Sequence, residues 1–292
     1  MEFSGVWTAL VTPFDNGNVD AAALDRILQR QFSSGVTGVV PVGTTGESPT
    51  LSHEEHIRVI ELVVQICNGK LPVMAGTGSN CTKEAIELTQ AAERAGAKAA
   101  LVVAPYYNKP TQEGLYQHYR AIALSTDLPL VLYSIPSRCG VEIAPETVAR
   151  LAADFRNIVG LKEAGGRVER INQIKPLVPK TFSLLSGDDA LTLDFIHAGA
   201  VGVISVASNL IPNEIVRLVK LALQGKFHEA QKIHNDLEPL FRDLFVETNP
   251  VPIKTALAAK GLCSAEVRLP LVPLAEKNKQ QLLNTLRNGG WL

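Results

Sequence analysis

The chain has 292 residues, 46% of them apolar, and its 28 basic and 29 acidic side chains leave a net charge of −1. That is enough apolar material for a large core, and the length permits one barrel-sized domain or two smaller ones. The near-balance of charge gives no electrostatic basis for binding nucleic acid or an anionic membrane. No run of about 18 apolar residues occurs, so no bilayer-spanning helix is expected. The opening Met-Glu-Phe-Ser lacks a basic cluster, and a secretory signal is not expected.

Short apolar runs alternate with amphipathic stretches along most of the chain. Strands are expected at 6–11, 38–42, 72–75, 99–103, 130–133, 158–161, 182–185 and 201–205, where apolar, β-branched residues cluster between turn residues. Helices are expected at 21–33, 53–67, 83–95, 113–125, 145–153, 168–177, 190–198 and 212–224. Ser52 with Glu55 forms a capping-box pattern, Thr82 and Thr111 stand where N-caps are needed, and Gly35 and Gly96 close helices. Strand–helix alternation implies a parallel sheet, and eight such units fit a closed (β/α)8 TIM barrel of the α/β class over residues 1–224. An open doubly wound sheet is the alternative. After residue 224 the alternation stops, and 227–245, 253–259 and 275–286 read as helices alone. Residues 225–292 are therefore expected to be a helical extension packed on the barrel.

Several chemistries have no motif. There is no P-loop, and Gly76-Thr77-Gly78 lacks the third glycine of a dinucleotide turn. His53-Glu54-Glu55-His56 places two histidines three apart but supplies no third metal ligand. Cys67, Cys81, Cys139 and Cys263 form no C-x-x-C pair, so reduced thiols and a cytoplasmic setting are expected. No metal or cofactor is required.

Active sites of βα barrels lie where the strands end. Lys162 is the one lysine that falls within the strand pattern. Burial disfavours a charged amine, and a neutral amine attacks a ketone to form a Schiff base. A buried ion pair with Glu163 or an aspartate is the competing reading. Strand periodicity sets Ile158, Gly160 and Lys162 on one face and Val159, Leu161 and Glu163 on the other. Tyr133 ends the preceding strand, where its phenol could move protons. The Gly43-Thr44-Thr45-Gly46 turn offers amides and hydroxyls to a carboxylate, and Arg138 offers a bidentate guanidinium on the same rim. Together these groups suit a small oxo-acid.

The motifs Gly43-Thr44-Thr45-Gly46-Glu47-Ser48, Pro105-Tyr106-Tyr107-Asn108-Lys109-Pro110, Tyr133-Ser134-Ile135-Pro136-Ser137-Arg138 and Gly160-Leu161-Lys162-Glu163-Ala164 resemble the dihydrodipicolinate synthase family. Ser186-Gly187-Asp188-Asp189 and Asn249-Pro250-Val251-Pro252-Ile253-Lys254 are similar to it as well, in order and from residue 3 to the C-terminus. The resemblance implies an imine between Lys162 and pyruvate, whose enamine attacks L-aspartate 4-semialdehyde, in lysine and diaminopimelate biosynthesis. It implies a proton relay of Thr44, Tyr133 and Tyr107, with Tyr107 supplied by a neighbouring subunit in a homodimer or a dimer of dimers. Thr45 would hold the pyruvate carboxylate and Arg138 that of the aldehyde, with the backbone around Gly187 and Ile204 lining the pocket. Ser134 and Gly165 depart from the asparagine and threonine frequent at these places, which leaves the local hydrogen bonding open.

Ser48, Pro49, His53, His56, Asn80, Glu84 and Tyr106 resemble the inhibitory L-lysine pocket of the family, with Pro49 replacing a frequent alanine. Solvated helix histidines are the plainer reading of His53 and His56. Other Schiff-base aldolases, such as N-acetylneuraminate lyase and 2-keto-3-deoxy sugar-acid aldolases, share the lysine and Tyr133, while Arg138 and the Tyr106-Tyr107 pair favour the synthase. A non-catalytic small-molecule-binding barrel is the rival of another class, and it would have no need for Lys162.

Overall fold

The computed structural model describes residues 3–292. Eight parallel strands form one sheet: β1 (Gly5–Ala9), β2 (Gly38–Val40), β3 (Met74–Gly76), β4 (Ala99–Val103), β5 (Leu130–Ser134), β6 (Ile158–Glu163), β7 (Ser183–Ser186) and β8 (Gly202–Ser205). The spatial order is β2-β1-β8-β7-β6-β5-β4-β3. A parallel bridge between Val39 and Val73 joins the two ends, so the sheet closes into a barrel and the open-sheet alternative is excluded. The second and third strands are shorter than expected or displaced. Pro41 carries no amide hydrogen and Val42 has φ 49°, so β2 stops at Val40, while Gly76 N–H donates to the Pro41 carbonyl at 3.0 Å. A short antiparallel pair, Phe14–Asp15 with Asn18–Val19, went unread because each arm has two residues.

Eight helices follow the strands: α1 (Ala21–Phe32), α2 (His53–Cys67), α3 (Thr82–Ala95), α4 (Gln112–Ala123), α5 (Pro145–Asp154), α6 (Glu169–Ile174), α7 (Thr192–Ala198) and α8 (Pro212–Leu223). The capping box on α2 is complete, with Ser52 Oγ accepting from Glu55 N–H and Glu55 accepting from Ser52 N–H. Thr111 caps α4. Thr82 does not cap α3; its hydroxyl meets His118 Nδ1 at 2.9 Å, and the N-cap position belongs to Cys81. Gly96 closes α3 at φ +94°.

Strand residues divide between two apolar layers. Val39, Val102, Leu132, Leu161 and Leu184 face the helices, while Trp7, Val40, Met74, Leu101, Val131, Leu185 and Ile204 fill the barrel. One expected face of β6 is corrected by the pairing. The register shifts between Leu130 and Val131, so Ile158 packs in the outer layer and Val159 against the inner one, whereas Lys162 pairs in register with Tyr133. A bulge of this kind reverses the in–out alternation on one side of it.

Three further helices, α9 (Phe227–Asp243), α10 (Val251–Ala259) and α11 (Glu276–Asn288), follow without strands. α9 lies on α8, and α11 packs on α9 and α10. Leu240, Phe241, Ile253 and Leu282 belong to the same buried cluster as the barrel helices. Seven α10 positions in a row, Val251 to Leu257, are buried, which places Lys254 inside the molecule.

Candidate active site

A cavity of about 240 Å³ opens at the C-terminal ends of the strands. Its walls include Thr44, Ser48, Pro49, Tyr106, Tyr133 and Arg138, which come from the ends of three strands, β2, β4 and β5, and the loops that follow them. Lys162 is not one of these walls. It lies beside Tyr133, 6% exposed, with Nζ 4.3 Å from the centroid of the Tyr133 ring.

Lys162 forms no ion pair or hydrogen bond among the described residues, and its neighbour Glu163 explains why. Glu163 points to the opposite face of β6, where Arg170 donates to its Oε2 from Nε at 3.2 Å and from Nη2 at 3.1 Å. Gly165 N–H donates to Oε1 at 2.7 Å. Burial still holds the Glu163 carboxyl above its usual range, although Arg170 pulls the other way. The competing Lys162–Glu163 pair is therefore absent, and the carboxylate is committed elsewhere.

Gly187 stands against the lysine. A Cβ there would lie 2.6 Å from Ala164 Cβ, 3.0 Å from Lys162 Cε and 3.1 Å from the Glu163 carbonyl oxygen. Ile204 belongs to the inner apolar layer with Tyr133 and Leu185. The departure at Gly165 has a local reason: a Cβ at this position would meet Glu163 Oε1 at 2.6 Å. Ser134 is fully buried, and its hydroxyl accepts from Ile143 N–H at 3.4 Å.

The turn after β2 is held from several directions. Gly46 and Glu47 N–H groups bond back to the Gly43 and Thr44 carbonyls, and Thr12 Oγ1 donates to the Gly46 carbonyl at 2.7 Å. Glu47 has φ 54° and a buried carboxylate. Lys254 Nζ donates to it at 2.6 Å and to the Thr12 carbonyl at 3.0 Å, while Arg268 N–H donates at 3.1 Å. Burial holds the Lys254 ammonium below its ordinary pKa, with the Glu47 charge opposing that shift.

Thr45 is buried and accepts at Oγ1 from Asn249 Nδ2, 3.0 Å away. Arg138 is exposed on a one-turn helix, Pro136–Cys139, rather than in an irregular loop, and donates from Nη2 to the Asn249 carbonyl at 3.2 Å. Asn249 and Lys254 were read only as parts of a motif; no local periodicity announces contacts that cross so much of the chain. Tyr107 is 88% exposed at φ 73° and lines neither this cavity nor the one beside it.

A second cavity of about 130 Å³ adjoins the first. Ser48, Pro49, Gly78 and Tyr106 line both, and His53, His56, Ser79 and Glu84 line the second alone. His56 is not a solvated helix residue: it is buried, and its Nε2 meets the Gly76 carbonyl at 2.8 Å. Burial moves its imidazole below its ordinary pKa, towards the neutral form. Glu84 Oε2 accepts from Ser79 Oγ at 2.7 Å and lies 4.0 Å from His53 Nε2. Asn80 is not a wall of this cavity; its carbonyl accepts from Asn108 Nδ2 at 2.9 Å. Among the described residues no cluster of three or more His, Cys, Asp or Glu could hold a metal ion, and no helix is long and apolar enough to cross a membrane.

The chain is 54% identical to the 4-hydroxy-tetrahydrodipicolinate synthase of Sulfurihydrogenibium sp. (strain YO3AOP1), over 98% of each chain. It superposes with a TM-score of 0.98 on the structure of the 4-hydroxy-tetrahydrodipicolinate synthase of Methylacidiphilum fumariolicum SolV, at 55% identity, covering 99% of this chain and 96% of that one. A lysine-bound dihydrodipicolinate synthase from Cyanidioschyzon merolae matches with a TM-score of 0.97 and 41% identity, over 99% of both chains. The model of the dihydrodipicolinate synthetase family matches residues 2–288. With a strand lysine freed of its neighbouring carboxylate at the mouth of a closed barrel, and with this likeness along nearly all its length, the chain belongs to the dihydrodipicolinate synthetase family.

Proposed function

We propose that this chain condenses pyruvate with L-aspartate 4-semialdehyde to give 4-hydroxy-tetrahydrodipicolinate. The observation that carries the proposal is Lys162, a buried amine without a counter-ion among the described residues, whose Nζ lies over the Tyr133 ring at 4.3 Å. The Nζ lone pair attacks C2 of pyruvate, water leaves, and an imine remains. Loss of a C3 proton gives the enamine, and C3 bonds to the aldehyde carbon. The amino group of the second substrate then attacks C2 and displaces Lys162, closing the ring. The imine serves as the electron sink, so the scheme uses no separate cofactor.

Tyr133 and Thr44, which share the cavity, are the chain's own members of the proposed proton relay. Tyr107, exposed on its own subunit, is proposed to complete the relay in a neighbour, making the working unit at least a dimer. Thr45 is assigned to the pyruvate carboxylate and Arg138 to that of the semialdehyde, with the backbone around Gly187 and Ile204 assigned to the pocket lining. We assign the second cavity to free L-lysine, with Glu84 facing the ammonium; the lysine-bound relative supports the assignment. Residues 225–292 are taken as an extension of the barrel unit, and the four free cysteines suit a reducing cytoplasm.

Borohydride reduction in the presence of pyruvate tests the central step. One adduct per chain, located at Lys162 and absent from Lys162→Ala, is expected. Stoichiometric labelling and turnover by Lys162→Ala would overturn the proposal.

A further inference from the structure

Among the described residues, Asn249 alone is hydrogen-bonded to both groups assigned to substrate carboxylates. Its side chain meets Thr45 and its backbone carbonyl meets Arg138. It is 5% exposed and immediately precedes Pro250, the N-cap of α10. α10 is anchored to the same active-site turn by Lys254, which bonds Glu47 and the Thr12 carbonyl. The amide therefore has a defined place beside Thr45.

A threonine hydroxyl has one hydrogen and two acceptor lone pairs. Asn249 Nδ2–H occupies a lone pair of Thr45 Oγ1, so the hydroxyl hydrogen must point elsewhere. Among the described residues Thr45 Oγ1 donates to no acceptor. The opposite amide orientation would turn Oδ1 towards Thr45 and absorb that hydrogen. In the observed orientation Oδ1 is buried without a partner. An orphaned buried acceptor is costly, and here it accompanies a threonine hydrogen left free for a ligand.

We propose that Asn249 is a positioning residue that fixes Thr45 as a hydrogen-bond donor to the pyruvate carboxylate. This inference rests on the reading that assigns Thr45 to that carboxylate. Asn249 touches no reacting atom; it acts by occupying the wrong side of the Thr45 hydroxyl. A carboxylate at 249 has nearly the same shape but only accepts. Asn249→Asp should therefore draw the Thr45 hydrogen back and remove the donor from pyruvate. Protonating the new carboxyl restores a donor towards Thr45.

The test measures pyruvate KM and the rate of borohydride trapping at Lys162 in the parent, Asn249→Asp, Asn249→Ala, Thr45→Val and both double variants. At about pH 8, Asn249→Asp is expected to raise pyruvate KM at least about ten-fold over Asn249→Ala, the scale of a hydrogen bond to a charged group. Relative to the parent, that excess should shrink as the pH is lowered towards about 5, where a buried aspartyl group takes up its proton. In the Thr45→Val background it should disappear, whereas simple repulsion between two carboxylates would persist there. An excess that is absent, insensitive to pH, or undiminished in Thr45→Val overturns the inference. If Asn249→Asp fails to fold, Asn249→Ala decides: its KM increase must vanish in the Thr45→Val background, and an unchanged increase refutes the coupling. A parent that forms no pyruvate adduct at Lys162 would instead overturn the functional reading, and this inference with it.

Discussion

Replacing Gly187 by alanine adds a single methyl group beside the proposed nucleophile. The backbone of Gly187 is not in the left-handed region, so the cost is steric alone. The new Cβ would lie 2.6 Å from Ala164 Cβ and 3.0 Å from Lys162 Cε. Carbon atoms are in comfortable contact at about 3.5–4.0 Å, so roughly 1 Å must be recovered by movement. Ala164 has no rotamer to change, and the 3.1 Å approach to the Glu163 carbonyl blocks retreat on that side. Lys162, with four rotatable bonds, is the part that yields. Overpacking of this size costs about 1–3 kcal/mol of stability. Displacing a reacting group by about 1 Å costs about a hundred-fold in rate. Gly187→Ala should therefore remain folded, with its melting temperature lowered by a few degrees, while borohydride trapping at Lys162 slows about a hundred-fold. Gly160→Ala is the control. Its Cβ would strike the Ser183 carbonyl at 2.7 Å, and its three nearest neighbours are all atoms of Ser183, so stability should fall further than trapping. Trapping by Gly187→Ala at the parental rate would refute the argument that this glycine exists to make room for the lysine.

Arg138→Ala should weaken use of the semialdehyde by about ten-fold to over a hundred-fold, the loss of a charged hydrogen-bond partner, and leave pyruvate trapping intact. Steady-state KM for each substrate separates the two effects. Tyr107→Phe and Lys162→Ala should each be poor alone, while their co-expressed mixed dimers recover activity because one site holds both Lys162 and Tyr107; purified mixed dimers measure this directly. Free L-lysine at millimolar concentration should inhibit at saturating pyruvate, and Glu84→Ala should reduce that inhibition by several-fold, within the usual coupling range of about 1–3 kcal/mol.

The barrel was legible because its period is simple: apolar runs of strand length recur between amphipathic helices. Lys162 was legible for a related reason, since a charge inside a strand contradicts its surroundings. The same alternation misled at Ile158, because a bulge between Leu130 and Val131 depends on how neighbouring strands pair and leaves no trace in either strand alone. The choice between a free lysine and a Lys162–Glu163 pair turned on Arg170, seven residues beyond Glu163. The solvated alternative for His56 is excluded by the carbonyl of Gly76, at the end of β3, a contact no helix pattern shows. Thr82 fitted a cap, but its hydroxyl found a partner in His118, 36 residues away. Each of these outcomes depends on a contact between elements, which local pattern does not encode.

The bond from Lys254 to Glu47 spans 207 residues. During synthesis the turn after β2 leaves the ribosome long before its counter-ion exists. At about 5–20 residues per second, the delay is roughly 10–40 s. Through that interval a nascent chain can form the barrel strands and display Lys162, yet burying Glu47 as a carboxylate is costly until its partner is present. The ion pair that compensates this burial requires Lys254, and so α10. The separation sets an order of synthesis: the electrophile-seeking amine is made before Lys254, and the turn that carries Thr45 gains its counter-ion only once α10 has been made.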